Sequence, residues 1–234
     1  MPNRQNTIFA ALIGAFCIVA APASAQTPAS QGPERFAAEI AAFQAADRAA
    51  PPPACQVVFT GSSTIRRWTS LTQDMAPLPV LNRGFGGSQI ADVDYYFDQD
   101  IAAYKPRAIV FYAGDNDIAA NKTPTQVYRD FRRFMQLKDY RLGHATPVYF
   151  ISIKPSKLRF DQMKLQAEAN AKVLALSHRR RDLHYIDVAP DMLEGGQPKD
   201  IFVKDGLHMT PAGYEIWTKI VRPALSDVSN RQCS

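Results

Sequence analysis

The chain alternates short apolar runs with amphipathic segments, and this alternation constrains the fold more than any other feature. The runs are rich in β-branched and aromatic residues, and most of them are nearly continuous in apolar character, as strands buried on both faces of a sheet are. They are CQVVFTG (55–61), VLNRGFGG (80–87), AIVFYAG (108–114), PVYFISI (147–153) and LHYIDV (183–188). Helical periodicity separates them, most clearly over 125–140 and 161–180. This order predicts a parallel sheet covered by helices on both faces, in a single three-layer α/β domain.

The first residues have a different character. They combine a basic residue, Arg4, with an apolar run over 8–21 and the small residues Ala23-Ser24-Ala25. This combination is typical of a secretory signal peptide, here cut before Gln26. The apolar run is shorter than the roughly 20 residues that a membrane-spanning helix requires. We therefore expect residues 1–25 to be removed and the protein to be exported, periplasmic or secreted, without a stable membrane anchor.

About 210 residues then remain, which suffices for one domain with a buried core. Residues 26–50 are expected to form a lead segment and an N-terminal helix, and residues 51–234 the main domain. Loss of Arg4 lowers the formal charge from +5 to +4, because residues 1–25 contain no acid. The remaining basic residues are spread along helix-like segments, so solvated helix faces explain them better than a nucleic-acid-binding surface.

Two cysteines survive signal-peptide cleavage, Cys55 and Cys233, and disulfides persist in exported proteins. Cys55 opens the first strand at the amino end of the sheet, and the terminal helix should run back toward that end. We therefore predict a Cys55–Cys233 disulfide. The alternative is one buried strand cysteine and one free thiol near the chain end.

Polar and glycine-rich segments follow the predicted strands, at the carboxyl edge where parallel sheets bind ligands. They are TGSSTIRRW, NRGFGGSQ, AGDNDIA, IKPS and, after the fifth strand, DGLHMTPAGY. Each has a simpler explanation when taken alone. Paired serines often cap a helix, clustered glycines form tight turns, and GDND could be an Asx-rich turn or an acidic cluster that binds a cation. No second carboxylate cluster at ligand spacing supports a metal ion.

His208 distinguishes between these explanations. It is the one histidine of four that follows a strand on a loop with a carboxylate nearby, three residues after Asp205. Thr210 and Pro211 then predict a helix start. An aspartate in this position can accept a hydrogen bond from the Nδ1–H of the imidazole and leave Nε2 free to act as a base. The alternative is that the hydrogen bond between Asp205 and His208 only stabilises the loop.

A general base requires a group to activate, and Ser63 is the natural candidate because an unaided serine is a weak nucleophile. Attack on an ester carbonyl also requires donors for the developing oxyanion. The backbone N–H groups of Ser63 and Gly87 and the side-chain amide of Asn116 are available.

Taken together, these motifs resemble the SGNH/GDSL hydrolase family from about Cys55 to Leu225. The resemblance implies a flavodoxin-like five-stranded sheet of order 2-1-3-4-5, with Ser63 as nucleophile, His208 as general base and Asp205 as its orienting acid. It also implies acyl transfer without metal or organic cofactor. Two departures are the sequence Gly61-Ser62-Ser63 in place of Gly-Asp-Ser, which leaves Ser62 as an alternative nucleophile, and Asp115 where a small residue is common.

We therefore expect a carboxylic ester hydrolase of lysophospholipase or acetylesterase type, acting on a small-molecule, glycan or lipid ester. The alternatives are an inactive carbohydrate- or lipid-binding module of the same fold and an O-acyltransferase. Five residues near the strand ends are candidates for substrate contact: Trp68, Phe85, Tyr112, Lys154 and Phe202. No nucleic-acid partner is expected, and the oligomeric state is left open.

Overall fold

The computed structural model describes Met1 and residues 32–230, so Cys233 and the expected signal peptide after Met1 lie outside the described residues. Its main sheet has five parallel strands in the order β2-β1-β3-β4-β5. The strands are β1 Val57–Gly61, β2 Val80–Gly84, β3 Ala108–Tyr112, β4 Val148–Ile151 and β5 Leu183–Ile186. The predicted α/β fold and the predicted strand order are both confirmed.

Helices cover both faces of this sheet. They are α1 Ala37–Ala49, α2 Ser63–Arg66, α3 Leu71–Asp74, α4 Ile90–Tyr95, α5 Phe97–Asp100, α6 Asp115–Ala119, α7 Pro124–Leu142, α8 Met163–Ser177 and α9 Pro211–Ala224. Single 3-10 turns lie at Pro33–Phe36, Ala102–Tyr104, Phe160–Gln162, Pro190–Met192 and Ser226–Asn230, and a small hairpin is formed by β6 Leu193–Glu194 and β7 Gln197–Pro198. No described helix is both long enough and apolar enough to cross a membrane.

Alternating strand side chains point to two separate cores. Val57 and Phe59 of β1 pack with α2, α3 and α9 on one face, whereas Val58 packs with α1 and α4–α8 on the other. The period of two residues along each strand produces this division, and burial on both faces explains why the three central strands β1, β3 and β4 are almost wholly apolar. The molecule therefore has three layers, with the sheet between two helical layers.

Helix α9 begins where the sequence predicts. Thr210 is the N-cap residue and Pro211 occupies the first helical position, where its missing N–H is not needed. Tyr214, Trp217 and Val221, spaced three and four residues apart, are buried against the sheet. Trp217 packs edge-on against the ring of Tyr112 at 5.0 Å, which anchors the last helix to the central strand β3.

Cys55 lies just before β1 with a positive φ of 68° and is disulfide-bonded. The other two cysteines of the chain, Cys17 and Cys233, lie outside the described residues, so the pairing with Cys233 stays a prediction. Leu225, just after α9, lines a cleft with Pro79, whose carbonyl accepts the Val57 N–H at 2.9 Å. The end of α9 therefore reaches the amino edge of the sheet, where Cys55 is located.

Candidate active site

The first strand ends in a sharp turn that places Ser63 at the carboxyl edge of the sheet. Gly61 has a φ of +122°, and a Cβ at this position would lie 1.9 Å from the Tyr112 carbonyl oxygen. Only glycine fits such a conformation so close to a neighbouring strand. The Ser62 N–H donates to that same carbonyl at 2.9 Å, and α2 starts at Ser63. The turn therefore places Ser63 beyond the last residue of β1, at the first position of α2.

The His208 ring connects the Ser63 hydroxyl to the Asp205 carboxylate. Ser63 Oγ lies 2.8 Å from His208 Nε2, and His208 Nδ1 lies 2.6 Å from Asp205 Oδ2. An ionised carboxylate can only accept, so Nδ1 carries a proton and the neutral ring presents Nε2 as an acceptor for the serine hydroxyl. The Ser63 residue is 9% exposed, and the side chains of His208 and Asp205 are 13% and 41% exposed. The serine–histidine contact is thus shielded, while the aspartate reaches solvent.

A tight loop holds Asp205 in this orientation. Its second oxygen, Oδ1, accepts the backbone N–H groups of Leu207 and His208, each at 2.9 Å. An antiparallel bridge between Phe202 and Met209 closes the loop at its base. Desolvation opposes ionisation of Asp205, but the hydrogen bonds from the His208 ring and the two N–H groups outweigh it and lower the pKa of this carboxyl below its usual range. Asp205 is therefore ionised across the neutral pH range.

Two backbone N–H groups near the serine are available as donors. Within residues 32–230, neither the Ser63 N–H nor the Gly87 N–H donates to a backbone carbonyl. Gly87 has a φ of +73°, and a Cβ added there would meet nothing within 4 Å, so this residue borders open space. The preceding Gly86 N–H donates to the Glu39 carboxylate on α1, with 3.1 Å to the nearer oxygen. Helix α1 therefore fixes the turn that carries Gly87.

The third donor is the side-chain amide of Asn116, at the start of α6 after β3. Its Nδ2 donates to the Ser88 carbonyl at 3.0 Å, and its Oδ1 accepts Arg159 Nη2 at 2.9 Å. An amide nitrogen has two hydrogens, so one N–H remains for another acceptor. The structure thus positions Ser63, Gly87 and Asn116 after β1, β2 and β3, three neighbouring strands of the sheet.

Three of the four aromatic residues predicted to contact substrate are placed inside the protein instead. Trp68 is 1% exposed, and Phe85 and Tyr112 are fully buried. Trp68 stacks on the Tyr214 ring at 5.5 Å, and Phe85 meets the Phe36 ring at 5.0 Å. Their side chains follow the strand and helix faces that point into the two cores, so we assign them to packing rather than to substrate contact.

Lys154 and Phe202 support the loop that carries His208. Lys154 is 1% exposed, and its Nζ donates to the Leu207 carbonyl at 2.9 Å. The Phe202 ring centroid lies 5.6 Å from the same Nζ, within the range of a cation–π contact. Desolvation lowers the pKa of Lys154 from 10.5 to about 8, although the Asp115 charge opposes the shift. The buried Lys154 side chain therefore contacts the site through a backbone group, the Leu207 carbonyl.

Arg159 is a site residue that the sequence did not reveal. It bridges Asn116 and Asp115, with 3.0 Å between its Nη1 and Asp115 Oδ2. The segment KPSKLRF carries no periodic or motif signal at this arginine, and the chain contains 27 lysines and arginines in total. The contact spans 43 residues, so only the folded structure brings the two segments together.

One cluster elsewhere has the composition of a metal site. The ligand atoms of Asp139, His144 and Asp182 lie within 4.8 Å of one another. Lys138 and Arg180 already pair with these carboxylates, since both place a nitrogen within 3 Å of Asp139 and of Asp182. The cluster is therefore a charge-compensated ion-pair network, and it lies among residues that are not part of the serine site.

Comparisons with known proteins agree with this fold. The model of the GDSL-like Lipase/Acylhydrolase family matches residues 50–216. A search of curated proteins found no match. A GDSL-like lipase from Bacteroides thetaiotaomicron is 20% identical with a TM-score of 0.66, covering 83% of this chain and 97% of that chain. A proposed acylhydrolase from Bacteroides fragilis is 20% identical, with a TM-score of 0.68 and coverage of 86% of this chain and 98% of that chain.

A mutant of an acetyl-xylooligosaccharide esterase from Geobacillus is 14% identical, with a TM-score of 0.59 and coverage of 78% of this chain and 98% of that chain. At these identities the structural likeness establishes a shared fold. The family match covers more than half of the chain, including the residues around Ser63, Gly87, Asn116 and His208. The chain therefore belongs to the GDSL-like lipase/acylhydrolase family, a family of ester hydrolases.

Proposed function

We propose that this protein hydrolyses carboxylic esters through an acyl-enzyme intermediate on Ser63, with His208 as general base and Asp205 as its orienting acid. The observation that carries the proposal is the unbroken hydrogen-bond chain from Ser63 Oγ to His208 Nε2 at 2.8 Å and from His208 Nδ1 to Asp205 Oδ2 at 2.6 Å. This is the arrangement that activates a serine, because it removes the hydroxyl proton as the new bond forms.

In the acylation step, Ser63 Oγ bonds to the ester carbonyl carbon while its proton passes to His208 Nε2. The resulting imidazolium lies against the ionised Asp205 carboxylate, and the lowered pKa of Asp205 keeps this carboxylate from taking up the proton. The tetrahedral intermediate then collapses: the carbon–oxygen bond to the alcohol breaks, and His208 returns the proton to the departing alcohol. The acyl group remains on Ser63 as an ester.

The carbonyl oxygen becomes an oxyanion in this step and requires donors that are already in place. The N–H groups of Ser63 and Gly87 and the second Nδ2 hydrogen of Asn116 are the groups we assign to this role. Each such donor typically contributes a factor of about 100 to 1,000 in kcat, because the hydrogen bond strengthens as charge develops.

Deacylation repeats the chemistry with water as the nucleophile. Water attacks the acyl carbon, His208 accepts its proton, and the Ser63 oxygen leaves and recovers a proton from His208. If a sugar hydroxyl replaced water, the same residues would transfer the acyl group to the sugar. No described contact favours a sugar acceptor over water, so hydrolysis is the function that we propose.

The substrate class that we propose is an ester outside the cytoplasm, either an acetylated glycan or a lysophospholipid, met after export of the mature chain. A panel of nitrophenyl esters from acetate to decanoate, assayed on the mature protein, measures acyl-length preference. Adding acceptor sugars and analysing products by mass spectrometry separates hydrolysis from acyl transfer. If no ester in the panel is hydrolysed, the result would support the alternative function, a non-catalytic binding module of the same fold.

The nucleophile is tested by comparing Ser63→Ala with its matched neighbour Ser62→Ala. Ser62 is 1% exposed, and its hydroxyl has no hydrogen-bond partner among the described residues. We expect Ser63→Ala to lose at least about a thousandfold in kcat/KM and Ser62→Ala to stay close to wild type. A fluorophosphonate probe should label Ser63 in the wild type, identified by peptide mass. The reverse pattern would reassign the nucleophile to Ser62.

A further inference from the structure

Asn116 can serve as an oxyanion donor in only one of its two amide orientations. A rotation of the amide by half a turn exchanges Nδ2 and Oδ1 with little change in shape. The exchanged form would present a lone pair, and not an N–H, to a negatively charged oxygen. The group that fixes the orientation therefore decides whether this donor exists.

Two neighbours determine the orientation, one from each side. The Ser88 carbonyl can only accept, and it lies 3.0 Å from Nδ2. The Arg159 guanidinium can only donate, and its Nη2 lies 2.9 Å from Oδ1. The exchanged amide would face an acceptor with its oxygen and a donor with its nitrogen, so both hydrogen bonds would be lost.

Asp115 in turn holds Arg159. Its Oδ2 lies 3.0 Å from Arg159 Nη1, and its Oδ1 accepts the Asn116 backbone N–H at 2.9 Å. The side chains of Arg159 and Asp115 are 15% and 5% exposed, so solvent screens their interaction only weakly. The three groups form a closed ring in which one carboxylate fixes both the arginine and the backbone of the asparagine.

We propose that Arg159, held by Asp115, is a positioning residue of the oxyanion hole. It fixes the Asn116 amide with Nδ2 toward the reacting oxygen, and its charge polarises that amide so that the free N–H becomes a stronger donor. Because Asp115 balances the guanidinium charge, the pair contributes little general attraction for an anionic ligand. The inference deepens the proposed function and rests on it.

This role makes a prediction that differs from a purely structural one. A positioning residue of the oxyanion hole changes kcat, because its effect appears as charge develops, and leaves KM nearly unchanged. It also acts through Asn116, so its loss should matter little once Asn116 has been removed. A residue that only stabilises the fold would lower the melting temperature and give effects independent of Asn116.

The experiment measures kcat and KM on nitrophenyl acetate for the mature protein and for Arg159→Met, Asn116→Ala and the double variant. We expect Arg159→Met to lower kcat about tenfold to a hundredfold with KM within about twofold. In the Asn116→Ala background the same change should cost less than about threefold. Arg133→Met is the matched control for loss of an arginine that pairs with an aspartate, since the Arg133 side chain on α7 is 61% exposed and its Nε lies 3.0 Å from Asp94 Oδ2 on α4.

Wild-type kcat in Arg159→Met, a loss confined to KM, or full additivity with Asn116→Ala would each overturn the inference while leaving the serine mechanism in place. A wild-type protein without esterase activity, or a fully active Ser63→Ala, would overturn the proposed function and this inference with it. If Arg159→Met loses the native circular dichroism spectrum, Arg159→Gln takes its place. Glutamine is too short to reach both Asp115 and Asn116, so the same kcat loss and the same coupling are expected.

Discussion

Asp100, the last residue of α5, is a carboxylic acid enclosed by the protein. It is 1% exposed, and its Oδ2 accepts the Thr60 hydroxyl at 3.1 Å, while Oδ1 has no partner among the described residues. Desolvation raises the pKa of Asp100 from 3.8 to about 8, because the Thr60 hydrogen bond and the Arg83 charge compensate only in part and Asp47 adds repulsion. Asp100 is thus mostly protonated in the folded protein at neutral pH.

The raised pKa makes stability depend on pH. Below the unfolded value of 3.8 the acid is protonated in both states, and above it the unfolded chain alone ionises until the pH reaches about 8. Each pH unit in this window lowers the free energy of unfolding by about 1.4 kcal/mol, or about 4 kcal/mol in total at pH 7. Asp100→Asn removes this loss but leaves a buried amide N–H₂ with few partners, at a cost of about 1–2 kcal/mol. We expect a net gain of about 2–3 kcal/mol at pH 7.

Urea unfolding followed by circular dichroism at pH 5 and pH 8, with the disulfide kept oxidised, measures this effect. The advantage of Asp100→Asn over wild type should grow as the pH rises between these values. Asp98→Asn is the matched control on the same helix, because Asp98 is 54% exposed and pairs with Arg141 at the surface, where a pair contributes at most about 1 kcal/mol. An Asp100→Asn protein that is less stable than wild type at both pH values, with an unchanged pH dependence, would refute the argument.

Three further predictions concern the site and its frame. Asn116→Ala should lower kcat by about a hundredfold to a thousandfold with little change in KM, measured on nitrophenyl esters; a change in KM alone would instead indicate substrate positioning. Gly61→Ala should abolish activity and destabilise the fold, since its methyl group would lie 1.9 Å from the Tyr112 carbonyl oxygen; a native melting temperature would contradict this. Peptide mapping of the exported, unreduced protein should recover Cys55 joined to Cys233, and two alkylatable thiols in unfolded, unreduced protein would exclude the bridge.

The strands of the sheet could be predicted from the sequence because burial on both faces of a strand requires mostly apolar residues. All five strands fall inside the predicted runs, and α7, α8 and α9 overlap the predicted helices. Helices α4 and α5 were not predicted, because the segment DVDYYFDQD mixes acids with aromatic residues and shows no clear period. The start of α4 depends on a reciprocal hydrogen-bonded cap between Gln89 and Asp92 and on the Asp117 carboxylate from α6, which accepts the Ile90 N–H. Contacts of the latter kind exist only after folding.

The candidate active site has the same limit, because contacts that form only on folding leave no local signal in the sequence. Ser63 and Asn116 could be chosen because each combines a suitable side chain with a position just after a strand. Asp205 and His208 could be chosen because a carboxylate lies three residues before an imidazole on the loop that precedes α9. Proximity to a strand end does not say which way a side chain points, and Tyr112 turns into the core toward α9. Arg159 offered no local signal, since its importance lies in distances to groups more than 40 residues away in sequence.

Ser63 and His208 lie 145 residues apart in the sequence. During synthesis the serine emerges early, but its imidazole partner arrives only with the final part of the chain and the helix α9 that follows it. Under the mechanism that we propose, a truncated or half-folded chain carries an unactivated serine hydroxyl, and we expect it not to cleave esters. Labelling of Ser63 by a covalent probe likewise requires His208 to be in place under this mechanism, so we expect the labelling yield to report the fraction of chains whose last segment has folded.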